Sequence, residues 1–174
     1  MKALTFLSLA LFSWGTFAQA CPCVDKQTLA INKTYHENSI KVGNEVLARL
    51  QNPDLITQVT AAIQEDQAKI TEIQNISINA GIPYEYTDLS QGFNARAAAE
   101  ANKLKNIPNG PALDQEYANF RAGELQRLLT AFDTYFVLDV TTPTLKVWVP
   151  KERNIVAGNY ADSNKVEDEV KTGK

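Results

Sequence analysis

Between Asn52 and Pro83 the apolar side chains recur at helical spacing: Ile56, Val59, Ile63, Ile70 and Ile73 lie three, four or seven residues apart. That period is the pattern of one buried helical stripe, and it has a single gap, at Asp66. The stretch also carries its own boundaries. Asn52 is a capping residue, Pro53 suits the first helical position, and Asp54 sits where the helix dipole favours a negative charge. At the other end Gly81 suits a left-handed C′ position, and Pro83 prevents the helix from resuming.

The same reading extends in both directions. From about Val24 to Gln51, Leu29, His36, Ile40, Gly43, Leu47 and Leu50 keep a three/four spacing, which predicts a first long helix joined to the second by the tight Asn52-Pro53 corner. Beyond Gly81, IPYEYTDLSQGF mixes turn residues and aromatics without period and reads as a connection. The Ala-rich Asn94–Asn106 predicts a short accessory surface helix, closed by the breaker IPNGP.

A further helix is predicted from Leu113 to Asp139. Its seam is Tyr117, Phe120, Glu124, Leu128, Ala131, Tyr135 and Leu138, with Leu125, Leu129, Phe132 and Phe136 widening the apolar face, and its wealth of large side chains predicts the most buried helix. After Thr142-Pro143 a weaker stripe continues through Leu145, Trp148, Glu152, Ile155, Asp162 and Val166. Pro150 interrupts it, so a kink or fresh start is expected there, and LKVWV offers a short extended segment as the alternative. The charged tail from Ser163 is expected to fray. Together these elements predict an all-α protein, an up-down-up-down four-helix bundle with a short accessory helix.

The first residues change the picture of where this bundle works. MKALTFLSLALFSWGTFAQA has one cation, an apolar run and a small-residue AQA triplet, the pattern of a signal peptide over residues 1–20. It is too short and wrongly flanked for a membrane span. The single mature domain, residues 21–174, is then periplasmic or secreted. Without Lys2 it has 16 basic against 20 acidic residues, a net charge of −4, with no basic stripe of the kind nucleic-acid binders show. No nucleic-acid partner is expected.

Both cysteines lie in CPCVD at the mature N-terminus. A disulfide between residues two apart would be strained. Three readings stay open: a lipid anchor at Cys21, for which Ala18 stands where a lipobox has Leu; a metal or redox role; and a solvated arm able to pair with another chain.

Candidate chemistry is confined to polar residues on the predicted seams. Each helical residue rises about 1.5 Å, so reflecting the first helix through the Asn52-Pro53 corner sets His36 opposite Lys69 and Ile70, within a turn of Asp66. The same counting in the later helix reaches Glu124. His36, Asp66 and Glu124 thus share one predicted level, with Glu37 beside His36 and Glu152 able to approach.

Buried carboxylates need partners, and three arrangements meet that need. One is a divalent metal (Fe, Mn or Zn) held by His36, Glu37, Asp66 and Glu124. Another is a hydrogen-bonded or ionic network including Arg121, Arg127 or Lys69. In the third, the stripes are rotated so that all these groups reach solvent. A single histidine, no Gly-flanked serine and no Gly-rich phosphate loop argue against nucleophilic catalysis and nucleotide binding.

With the helices placed, the Asn52-Pro53 corner, QEDQAKI (64–70), AGIP (80–83), LDQEYANF (113–120) and Val149-Pro150 resemble a family of exported bacterial proteins of unknown function, a helical domain regarded as ferritin-like. The resemblance covers roughly Lys33 to Ala157 and implies a ferritin-like bundle. Gln67, Leu125 and Ile155 stand where that family tends to have histidines, so the resemblance implies the fold more than a metal site. The leading expectation is a non-enzymatic binding or interaction protein of the bacterial cell envelope, with a protein or small-molecule partner. The alternative is a ferritin-like metal-storage or oxidase-type protein.

Overall fold

The computed structural model describes residues 23–172, which are helical apart from short connections and contain no strand. The predicted signal peptide, its cleavage site and Cys21 lie outside the described residues. Cys23, which opens the first helix, is disulfide-bonded. The helices are α1 (Cys23–Val46), α2 (Pro53–Ala80), α3 (Asp88–Lys105), α4 (Pro111–Ala131), a π turn (Phe132–Phe136) leading into the short α5 (Val137–Asp139), and α6 (Pro143–Thr172). No helix among the described residues is long and apolar enough to cross a membrane.

The α2 helix follows its sequence signals closely. The Asn52 side chain accepts from the Leu55 N–H at 2.9 Å, Pro53 opens the helix, and Gly81 closes it at φ 65°. Its buried seam is Leu55, Val59, Ala62, Asp66, Ile70 and Ile73. Asp66 therefore occupies the stripe rather than leaving it. Gly43 lets α1 approach closely, since a Cβ there would lie 3.3 Å from the Ile63 side chain and 3.4 Å from the Tyr117 hydroxyl.

Two main packed pairs, α1 with α2 and α4 with α6, enclose the core, and α3 lies along α1. The α3 helix is longer than expected and is no surface accessory. It starts at a reciprocal Thr87–Ser90 capping box, and its Phe93, Ala97, Ala101 and Leu104 are buried. Small alanines allow that close packing, which is why a sparse apolar pattern still makes a buried face. Because α3 covers it, α1 is buried at every residue from Thr28 to Asn32 and competes with α4 as the most enclosed helix.

Three expectations about the second half are corrected. The α6 helix continues through Pro150 to Thr172, so the fresh start expected there does not occur. Buried Leu145, Trp148, Val149 and Glu152 flank the proline and hold the helix in place where its lost hydrogen bond would otherwise end it. The extended alternative for LKVWV falls with the same observation. The charged tail stays helical because Ser163 is buried and Val166 and Val170 pack on the core cluster of Val42, Val46, Leu55 and Leu104. Finally, the π turn adds a residue to the last turns of α4, which slips the predicted seam. Phe132 and Phe136 are buried edge to face at 5.3 Å, while Tyr135 and Leu138 are 53% and 73% exposed.

Each hairpin corner is tied by an aspartate from the other pair. Asp114 of α4 accepts from the N–H groups of Gln51 and Asn52 at 3.0 and 2.8 Å, at the α1–α2 corner. Asp25 of α1 accepts from the N–H groups of Thr141 and Thr142, 2.8 and 2.9 Å, and from both threonine hydroxyls, at the corner before α6. Burial pushes the Asp25 carboxyl up, but the hydrogen bonds from Thr142 and Thr141 outweigh it and leave it below the ordinary carboxylate value.

A depressed folded pKa gives stability that is present above the unfolded value, about 3.9, and is lost as pH falls through the folded one. Urea midpoints measured from pH 6 down to 2.5 should therefore drop most steeply below about pH 4 in the wild type. Asp25→Ala should cost about 2–3 kcal/mol at neutral pH and flatten that acid limb. An acid limb unchanged in Asp25→Ala would show that another group sets it.

Candidate functional site

The polar seam residues converge on a cleft where α2 and α6 part. His36 lies on α1, and a turn-by-turn match across the α1–α2 pair sets it against Asp66. The His36 Nδ1 to Asp66 Oδ1 distance is 2.6 Å, with both groups buried. A carboxylate accepts, so the His36 Nδ1–H donates to Asp66 Oδ1. Nε2 points toward Glu152 Oε1 of α6 at 3.7 Å, too far for a hydrogen bond, and has no partner.

Glu152 is 1% exposed. Its other oxygen, Oε2, is 2.5 Å from the Lys69 ammonium of α2, which also reaches Glu72 at 2.9 Å. That contact is an ion pair without the geometry of a hydrogen bond. Burial works against the Lys69 charge, and the two glutamates more than offset it, so its pKa is raised.

Arg121 of α4 completes the polar wall. It is buried, and no carboxylate oxygen lies within 4 Å of its guanidinium among the described residues. Burial opposes its charge, while Tyr35, Tyr117 and Asp66 act to retain it, leaving the guanidinium firmly protonated. Tyr35, whose ring meets the His36 ring edge-on at 5.1 Å, is held in its neutral phenol form chiefly by burial.

These groups border a cavity of about 360 Å³. Tyr35 and His36 come from α1, Asp66 and Lys69 from α2, Arg121 and Leu125 from α4, and Glu152 and Val156 from α6. Exposed Glu65, Ala68 and Ile155 form its rim. The size lies at the lower end of ligand pockets, about 300–1,000 Å³.

Of the four residues expected to hold a metal, the structure brings together His36 and Asp66 and separates the other two. Glu37 faces outward and pairs with Lys33 one turn before it. Glu124 faces a groove between α3 and α4, where Arg96 Nε and Arg127 Nη1 reach it at 2.9 and 2.8 Å. The four therefore form no single ligand set. Among the described residues no group of three or more His, Cys, Asp or Glu side chains is arranged to hold a metal ion. Glu152 takes the place at the layer that Glu124 was expected to fill. The separation of Glu124 follows from α3, whose Arg96 draws it away.

The cavity and the role of Tyr35 in it were not read from the sequence. Tyr35 gave a signal only as the neighbour of His36, and the divergence of α2 from α6 leaves no mark in periodicity. Comparison with family models, with characterised proteins and with solved structures yields no match for this chain.

A buried ion pair is costly to halve and cheap to replace whole. Glu152→Ala should destabilise the protein by about 3 kcal/mol, because it leaves the Lys69 ammonium without its buried carboxylate. The double change Lys69→Met, Glu152→Leu should recover most of that loss. Denaturation midpoints of the two singles and the double, combined as a cycle, measure the coupling; additive effects would mean that the pair does not act as a unit.

Proposed function

We propose that this protein is a non-enzymatic binding module of the cell envelope, which holds a small polar molecule in the cleft between α2 and α6. The observation that carries this reading is the buried polar lining with unmet hydrogen-bonding capacity. His36, Asp66, Arg121 and Glu152 line one cavity, and His36 Nε2, Asp66 Oδ2, Arg121 Nε and Glu152 Oε1 lack hydrogen-bond partners. Unpaired buried polar groups are costly, about 1–3 kcal/mol each. A fold that keeps several around one opening has a use for them. The long helices, read as an up-down-up-down bundle of ferritin-like type, form the rigid frame, and the N-terminal apolar segment is the reason for placing the protein outside the cytoplasm.

A metal-binding role is the second reading, and one distance favours it. His36 Nε2 and Glu152 Oε1, 3.7 Å apart, are spaced so that one ion could touch both at about 2.0–2.2 Å. Against it stand the lack of a third ligand and the ammonium of Lys69 already on Glu152.

The test is a thermal-shift screen of the mature protein against a library of small polar compounds and against Fe(II), Mn(II) and Zn(II). It is run in parallel on Ala68→Trp, a rim variant that plugs the cleft from an exposed position. At least one organic compound should raise the wild-type Tm by a few degrees and lose its effect in Ala68→Trp. If no compound discriminates between the two proteins, the binding reading fails. A stoichiometric metal response lost in Glu152→Gln would put the second reading in its place.

A further inference from the structure

The large apolar side chains that the fold leaves in water are gathered at one end. Seven are exposed among the described residues, and six of them, Ile78, Tyr86, Tyr135, Val137, Leu138 and Val147, belong to the end where α1 and α6 begin. Ile78 lies in the last turn of α2, and Tyr86 in the connection that Glu85 joins to Lys26 and Gln27 of α1 by hydrogen bonds. Tyr135, Val137 and Leu138 come just before the Asp25 tie at Thr141, and Val147 is one turn into α6. The opposite end, made of the α1–α2 corner, residues 106–110 and the last turns of α6, presents no such side chain among the described residues.

Single exposed hydrophobics are ordinary, whereas their concentration at one end marks a contact surface. The π turn contributes to it, because it turns Tyr135 and Leu138 outward from a seam that a regular helix would bury.

What this surface meets follows from where the rest of the chain joins it. The α1 helix opens at Cys23 on this same end, so Cys21 can be no more than about 7 Å away. The apolar run Ala3–Trp14 is joined to Cys23 through eight residues, 15–22. A lipid on Cys21, or that run, would hold this end and no other against a membrane. The heights agree as well. Each of the six lies in a connection or within about four residues of a helix end, about 6 Å at 1.5 Å per residue, and side chains seated at a membrane interface enter it by about 5–10 Å. Two of the six are tyrosines, whose apolar ring and polar tip suit that zone. Exposed Asp88 and Asp139 against Lys146 add no positive charge, so the attraction is apolar and does not require anionic lipid.

We propose that this end of the bundle seats on the surface of a lipid bilayer, with the chain before Cys23 as the second attachment that stable anchoring needs. Seated so, the cleft at His36 stands about 20 Å up α1 from the lipid and clear of it.

The experiment uses the full chain as the exporting cell leaves it, mixed with vesicles of phosphatidylcholine or of phosphatidylglycerol. Two reporters are compared with the wild type: Leu138→Trp at this end and Lys165→Trp near the other, both at exposed positions. The emission of Leu138→Trp should shift to the blue with either vesicle and be quenched by lipids brominated on their acyl chains, and that of Lys165→Trp should do neither. Ile78→Ser combined with Leu138→Ser should lower vesicle partitioning by about tenfold or more. Circular dichroism confirms that these variants are folded.

No blue shift in Leu138→Trp, equal shifts in both reporters, or association with phosphatidylglycerol vesicles alone would overturn the assignment. Dimerisation without lipid, seen by sedimentation and abolished by the double serine variant, would also overturn it and give this end to a second copy of the chain.

Discussion

An imidazole and a carboxylate meeting at 2.6 Å in the middle of an apolar seam set the terms for this fold. Neither His36 nor Asp66 can slip along its helix without leaving the other unpaired in a dry environment, and that penalty is of the same order as the net stability of a domain divided among a few contacts. The pair therefore fixes the register of α1 on α2 more firmly than the leucine and isoleucine contacts around it, which could interdigitate in neighbouring registers. Glu152 extends the constraint to α6, because Lys69 of α2 and His36 of α1 both face it. Three helices are thereby indexed to one level.

That level is also where the packing opens. The α1–α2 and α4–α6 pairs lie close, with Gly43 allowing α1 to approach Ile63 and Tyr117, whereas α2 and α6 meet along a much shorter stretch. Water or a ligand must fill what the side chains leave. Polar groups that would be expensive in a sealed core are tolerable at the wall of such an opening, and the same groups give it chemical selectivity. The feature that indexes the helices and the feature that could recognise a ligand are one set of residues.

How much of this could be read beforehand depends on range. Asn52, Pro53 and Gly81 act within one turn of themselves, so the ends of α2 were legible, and so was the presence of Asp66 on the stripe. Matching heights through a tight corner paired His36 with Asp66 because only one short connection intervened. Matching across the long connection and α3 misplaced Glu124, since nothing local records that Arg96 would arrive beside it. Pro150 misled for the opposite reason: its local cost is real, yet Leu145, Trp148, Val149 and Glu152 outweigh it through tertiary contacts. The π turn at Phe132–Phe136 left no compositional sign, and one inserted residue was enough to turn Tyr135 and Leu138 outward, while Phe132 and Phe136, expected on the apolar face, are buried.

The crossed aspartate ties at the two corners bear on how the chain assembles. Asp25 belongs to the first hairpin and closes the corner of the second, while Asp114 belongs to the second and closes the corner of the first. Either hairpin made alone would have bare backbone donors at its bend and a stranded acid on its flank. Halves of this molecule are thus poor independent foldons, and the native state is reached or lost as one cooperative unit.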